Sequence, residues 1–152
     1  MAVLATVCLM ACAERKPVVP VDPALVDAVK ARQANFREMG AASKNIDDAL
    51  KAGNSIGPPV MMAAQQIQKF AGQQQYWFPP GSGPESGIDT AAKAEVWQQP
   101  ERFAERQQAL IDEAAVLVEV AGEGSRDAFV EQFRRVGEAC KACHDAFREP
   151  EE

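Results

Sequence analysis

The chain contains one histidine, and that residue ends the segment Cys140-Lys141-Ala142-Cys143-His144. The C-x-x-C-H pattern is the attachment motif of c-type haem. Two thiols add to the vinyl groups at one edge of the porphyrin, while the adjacent imidazole binds the iron. On a helix, the spacing i, i+3, i+4 places these three side chains on one face. The motif predicts one covalent haem c and its iron, with thioether bonds to Cys140 and Cys143 and His144 as an axial ligand.

Two other uses of a C-x-x-C pair lack the residues that they need. A structural zinc site takes four ligands, and outside the motif the chain has only Cys8 and Cys12, both near the apolar N-terminus. A thioredoxin-like redox pair is found near a βαβ pattern, and no strand pattern occurs nearby. Haem attachment is therefore the favoured interpretation.

Composition narrows the function further. The 152 residues, 47% of them hydrophobic, are enough for one domain with a sizeable core. With 22 acidic and 16 basic residues, the chain has a net charge of -6 and no basic surface to attract nucleic acid. The only imidazole is assigned to the iron, which leaves no evident group for acid–base chemistry. We expect a protein that is not an enzyme and does not bind nucleic acid.

The N-terminal segment predicts export. Residues 1–11 are apolar, uncharged and too short to span a bilayer. They resemble the hydrophobic part of a secretory signal. Because the basic residues that begin such a signal are missing, we expect the signal segment to be truncated. Residues 9–12 resemble a bacterial lipobox, which would make Cys12 a lipid-modified residue. The alternative is ordinary signal cleavage after Ala13. Both predict a periplasmic protein, with membrane contact only through a lipid at Cys12, and residues 12–21 as a tether.

The rest of the chain, 22–149, has the pattern of a helical bundle. Four segments repeat apolar residues at helical spacing between capping residues or prolines at one end and glycine or proline at the other: 22–53, 58–75, 100–121 and 125–150. Residues 76–99 have a loop composition, although Trp77, Phe78 and Trp97 predict that this loop packs back onto the helices. The fold class is therefore all-α, an antiparallel up-down-up-down four-helix bundle with haem attached near the C-terminus.

In most c-type cytochromes the C-x-x-C-H motif lies near the N-terminus, whereas here it lies near the other end. The chain resembles the class II c-type cytochromes, the cytochrome c′ family, in segments 29–40, 78–83, 96–103 and 136–148. The resemblance implies haem packed between the first and last helices. It also implies a possible homodimer through the first two helices.

The resemblance also implies roles for three side chains. Arg32 is expected near a haem propionate, although an arginine that reaches solvent between helices is the alternative. Phe36 falls where family members place the residue that covers the open face of the iron, and members with Leu or Phe there have a five-coordinate iron. Arg148 is expected on the His144 side of the haem. It is four residues after His144 and so shares its helical face; a solvated arginine at the helix C-terminus is the alternative.

Met39 is a second candidate for the face of the haem opposite His144. It lies one helical turn from Phe36, and a thioether is a known axial ligand. Because the family position matches Phe36, we expect Met39 to pack in the core and rank it as the less favoured sixth ligand.

Two functions fit this set of residues. The first is electron transfer in the bacterial cell envelope, to a redox partner that the sequence does not identify. The second is the binding or scavenging of nitric oxide or carbon monoxide at the open iron position behind Phe36.

Replacing both Cys140 and Cys143 by serine tests the attachment directly. Serine hydroxyls do not form the thioether bonds, so we expect the double variant to release its haem under denaturing conditions, measured by absorption after extraction with organic solvent. Haem that stays bound to the denatured double variant would contradict the assignment.

Overall fold

The computed structural model describes residues 21–150. This part of the chain forms five α-helices and no strand: α1 (Pro23–Lys51), α2 (Pro58–Gln73), α3 (Glu95–Gln98), α4 (Pro100–Glu123) and α5 (Arg126–Phe147). Because α3 is a single turn, the domain is built by the other four helices, which confirms the all-α bundle. The expected signal segment 1–11, Cys12 and the tether up to residue 20 lie outside the described residues.

Local chemistry sets the ends of these helices. The Asp22 side chain accepts a hydrogen bond from the Ala24 N–H at 2.9 Å, and Pro23 occupies the first helical position of α1. Ser125 caps α5 in the same way through the Ala128 N–H. Gly124 ends α4 with a φ of 75°, a conformation that glycine adopts without steric cost. The caps at the starts of the first and last helices are as predicted.

The core lies between α1, α2, α4 and α5. Its large, fully buried members come from every one of these helices: Ile46, Ile67, Leu117, Phe129 and Val136. Removing such apolar surface from water is the main source of stability in a bundle of this size.

One side of the bundle is open. Helix α1 packs on α2, α2 packs on α4, and α4 packs on α5, but α1 and α5 make no comparable contact with each other. A cavity of about 560 Å³ separates them. We call it the α1–α5 cavity, and it lies where the sequence predicted the haem.

The connection between α2 and α4 is more ordered than its composition predicts. It contains two short 3-10 helices, Gln74–Tyr76 and Pro84–Ser86, and then α3. These elements have three or four residues each, too few for a hydrophobic period to show. Trp77 is 9% exposed, and Phe78 and Trp97 pack on neighbouring rings, so the loop does fold back onto the helices as expected.

The end of α5 corrects a predicted boundary. The sequence placed the stop at Pro150, whereas the helix ends at Phe147. An isolated antiparallel bridge pairs Ala92 with Arg148, and it is closed by hydrogen bonds from the Lys93 N–H to the Phe147 carbonyl and from the Glu149 N–H to the Ala91 carbonyl. Because this pairing requires an extended backbone at Arg148, the helix ends before that residue.

No helix within residues 21–150 is both long and apolar enough to cross a membrane.

Two neighbouring positions on α4 test which face of this helix packs in the core. Leu117 is fully buried and Val116 is 40% exposed. We expect Leu117→Ala to lower the free energy of unfolding by about 2–5 kcal/mol because it leaves a cavity, and Val116→Ala to change it by less than about 0.5 kcal/mol. Denaturant unfolding of the haem-loaded protein measures both, and equal effects would contradict the assigned helix orientation.

Candidate functional site

The α1–α5 cavity brings together every residue that the sequence analysis selected for the site. Helix α5 supplies one wall, helix α1 the facing wall, and Arg148 the edge beyond α5. The selected residues on its lining are Arg32, Phe36, Met39, Cys140, Cys143, His144 and Arg148. Residues more than a hundred positions apart in the chain therefore share one cavity.

The two thiols are close to each other and are not joined in a disulfide. Burial raises the pKa of Cys143 to about 11, the neighbouring Cys140 adds to this shift, and Arg106 opposes it. Burial also raises the pKa of Cys140. A redox-active or nucleophilic cysteine has the opposite shift, a depressed pKa. The pair thus lacks the electrostatics of a thioredoxin-like site.

His144 lies on the exposed edge of α5 and lines two cavities. One is the α1–α5 cavity, and the other, of about 310 Å³, is bounded mainly by charged residues near the C-terminal end of α5 and by Lys93 of the loop before α3. Arg148 lines both cavities with it.

Arg148 reaches this position by a route that the sequence did not predict. The expectation of a shared helical face is wrong, because the helix ends one residue earlier and Arg148 has an extended backbone with a φ of -120° and a ψ of 135°. Its N–H still donates to the His144 carbonyl at 2.9 Å. The residue is therefore positioned by the bridge to Ala92 rather than by helical periodicity.

Arg32 is 3% exposed, so the alternative of an arginine in solvent does not hold. Its guanidinium donates to the Trp77 carbonyl, to the Ser82 Oγ at 3.0 Å, to the Ser82 carbonyl, and to the Thr90 Oγ1 at 2.8 Å. It also lies over the Phe78 ring, 4.7 Å from its centre. Burial lowers the pKa of Arg32. All four acceptors are neutral, so these bonds satisfy four of the five N–H donors without compensating the charge.

Phe36 is held in place by two aromatic contacts. Its ring meets the edge of Trp77 at a centroid distance of 5.1 Å and that of Phe78 at 6.2 Å. T-shaped pairs at these distances are favourable beyond the area that they bury. Phe36 is therefore a fixed apolar part of the α1 wall.

Met39 is 7% exposed and belongs to the hydrophobic core, in agreement with its predicted packing role. It also lines the α1–α5 cavity, where the Gln74 Nε2 donates to its Sδ at 3.9 Å.

Sequence reasoning missed several polar residues of this site, of which four matter for its contacts and charge. Ser82 and Thr90 bind Arg32 from a loop without periodicity, and no local signal identifies them. Arg106 lines the cavity from α4, and Gln74 lines it from the turn after α2. Gln74 follows Phe70 and Ala71 at spacings of four and three, so the helical period of α2 could have found it.

The charge of the cavity differs from that of the chain. Within residues 21–150, four arginines line it, namely Arg32, Arg37, Arg106 and Arg148, and no aspartate or glutamate does so, although the chain has a net charge of -6. Such a lining favours an anionic ligand.

A comparison with known families decides the identity. The family model described as cytochrome c′ matches residues 27–148. The chain belongs to the cytochrome c′ family. This confirms the resemblance seen in the sequence.

Individual relatives agree with this membership. The cytochrome c′ of Alcaligenes xylosoxydans xylosoxydans is 31% identical over 122 residues, which is 80% of this chain and 93% of that protein. The crystal structure of cytochrome c′ from Thermochromatium tepidum aligns with a TM-score of 0.77 and 26% identity, over 83% of this chain and 97% of that one. A nitric oxide complex of a variant cytochrome c′ from Alcaligenes xylosoxidans aligns with a TM-score of 0.71 and 27% identity, over 83% and 97%.

As a member of this family, the chain binds covalent haem c with its iron. The α1–α5 cavity fits that group. Its volume of about 560 Å³ is in the range of about 300–1,000 Å³ usual for cofactor sites. Two unpaired thiols and an imidazole line it in the order that the attachment motif requires, and its uncompensated arginine charge suits the propionate carboxylates.

The contacts of Arg32 predict that this residue stabilises the α1 wall of the cavity and the loop bound to it. Arg32→Ala leaves the buried Ser82 hydroxyl, the half-buried Thr90 hydroxyl and two carbonyls without this donor, so we expect it to lower the free energy of unfolding by about 2–4 kcal/mol. Arg37→Ala, on the same helix but exposed, should change it by less than about 0.5 kcal/mol. Chemical denaturation of the haem-loaded variants measures this, and an unchanged stability of Arg32→Ala would refute the role of Arg32 in holding the loop.

Proposed function

We propose that this protein is an electron-transfer haem protein of the bacterial cell envelope, with His144 as the only protein ligand of the iron. One observation carries the proposal: His144 lines one wall of the α1–α5 cavity, and Phe36, which has no atom that can bind iron, lines the other. Bound haem supplies the ferrous–ferric couple, and the protein tunes it through ligand identity, burial and charge.

The residues of the chain have distinct parts in this proposal. Cys140 and Cys143 hold the porphyrin through thioether bonds, and Arg32 pairs with a propionate from its buried position. Phe36, braced by Trp77 and Phe78, excludes water and bulky ligands from the face opposite His144. Arg148 contributes positive charge on the His144 side, and Met39 stays in the core.

The second candidate function is binding or scavenging of nitric oxide or carbon monoxide. It is favoured by the apolar Phe36 ring on the α1 wall, because a small uncharged gas passes such a ring where a larger or charged ligand does not. The Alcaligenes xylosoxidans variant holds nitric oxide in a related fold. The same five-coordinate iron serves both functions.

The cellular location and the oligomeric state of the protein are proposed from the sequence. We infer a periplasmic protein with an export signal in residues 1–11 and either a lipid anchor at Cys12 or release after cleavage. A homodimer through α1 and α2 is consistent with the family, in which one solved cytochrome c′ is described as having a ligand-controlled dimer dissociation. We propose neither an enzymatic activity nor a nucleic-acid partner.

Absorption spectra of the purified ferric and ferrous protein test the ligation. We expect high-spin spectra in both states and a ferrous form that binds carbon monoxide, because no second side chain reaches the iron. The variant Phe36→Met should become low-spin, since it offers a thioether at the position that Phe36 covers.

The matched control is Met39→Ala, which should leave the spin state unchanged. A low-spin native spectrum that becomes high-spin in Met39→Ala would show that Met39 is the sixth ligand and would overturn the proposed ligation.

A further inference from the structure

Gln74 is the buried amide of the α1–α5 cavity. It is 3% exposed, and it lines the cavity from the 3-10 turn Gln74–Tyr76. Among the described residues, its side chain has one hydrogen bond, from Nε2 to the Met39 Sδ at 3.9 Å. A thioether is a weak acceptor, and a side-chain amide carries two N–H donors. The strongest hydrogen-bonding capacity of Gln74 is thus left to whatever enters the cavity.

This arrangement has an energetic cost. A buried amide without a good partner loses its hydration without replacing it, which costs free energy comparable to a lost hydrogen bond. A leucine or methionine at position 74 would fill the same space without that cost. The presence of an amide there is explained if a bound ligand accepts its hydrogen bond.

Three contacts place Gln74 beside Phe36 and away from His144. Its Nε2 contacts Met39, which is one turn along α1 from Phe36. Its carbonyl accepts the Trp77 N–H at 3.0 Å. The Trp77 ring in turn packs on Phe36. Gln74 and Phe36 therefore belong to the same wall, and α5 with His144 forms the facing one.

We propose that the Gln74 side-chain amide is a specificity-determining donor for a small ligand on the Phe36 side of the haem, where it gives a hydrogen bond to the outer atom of a diatomic gas. The inference rests on the proposed five-coordinate iron with His144 as its ligand. It adds a directional polar contact beside the apolar Phe36 ring. The pocket then selects a ligand by hydrogen bonding as well as by size.

The donor has a predictable effect on a bound gas. A hydrogen bond to the outer atom of carbon monoxide draws electron density toward that atom and lowers the C–O stretching frequency. It also slows dissociation, because the bond is broken when the gas leaves. A neutral hydrogen bond of ordinary strength corresponds to a factor of about two to ten in the dissociation rate.

The test uses the haem-loaded ferrous protein with carbon monoxide as the probe. In Gln74→Leu we expect the C–O stretching band to move to higher wavenumber and the dissociation rate of carbon monoxide to rise about two- to tenfold. Gln74→Ile repeats the change with an apolar side chain of similar size that has no iron-binding atom, in case leucine disturbs folding. In the native protein, exchange into D2O should shift the band slightly, since the donor is an exchangeable N–H.

Gln107 provides a matched control. It is also a buried glutamine, 8% exposed, with an Nε2 that has no partner among the described residues, but it does not line the cavity. Gln107→Leu removes a buried amide and should leave the carbon monoxide band and its dissociation rate at their native values.

The outcomes separate the inference from the function on which it rests. A native ferrous protein that binds no carbon monoxide overturns both. A native protein that binds carbon monoxide, with the same band and the same rate in Gln74→Leu, Gln74→Ile and Gln107→Leu, overturns the role of Gln74 and leaves the five-coordinate site in place. A change of equal size in Gln107→Leu also overturns it, because the effect would then come from general loosening of the core.

Discussion

The separation of α1 from α5 is the constraint on which the rest of the structure depends. Each helix of a bundle has to cover its apolar stripe. Three of the four neighbouring pairs do this by direct contact, and the fourth pair faces the α1–α5 cavity instead. Aromatic and aliphatic side chains line this cavity, including Phe36, Phe103, Leu110 and Phe147. A large flat apolar group would cover these surfaces, and the proposed covalent attachment at Cys140 and Cys143 would keep it there.

The loop between α2 and α4 is attached to both walls of the α1–α5 cavity. Arg32 binds it at Trp77, Ser82 and Thr90, and so joins the α1 wall to the loop. At its other end, the bridge between Ala92 and Arg148 joins the loop to the end of α5. The two walls are thus connected around the rim of the cavity although the helices themselves are apart.

The parts of this structure that could be predicted from sequence are those that local chemistry controls. Asp22 and Ser125 act within one turn of their own position, and the spacing of Cys140, Cys143 and His144 is that of a single helix face. The partners of Arg32 lie about fifty residues away in a loop without periodicity, so no local signal links them to it. Arg148 leaves the helix because of a pairing with Ala92, a distant contact that helical spacing does not reveal. Gln74 lies between these cases, since it continues the helical period of α2 into the following 3-10 turn, whereas its contact with Met39 has no local signal.

The crystal structure of the haem-loaded protein tests the central claim most directly. The account predicts a porphyrin between α1 and α5, thioether bonds to Cys140 and Cys143, iron bound to His144, and the Phe36 ring over the opposite face with no protein atom bound to the iron there. A second side chain on the iron, Met39 above all, or a porphyrin outside the α1–α5 cavity, would contradict it.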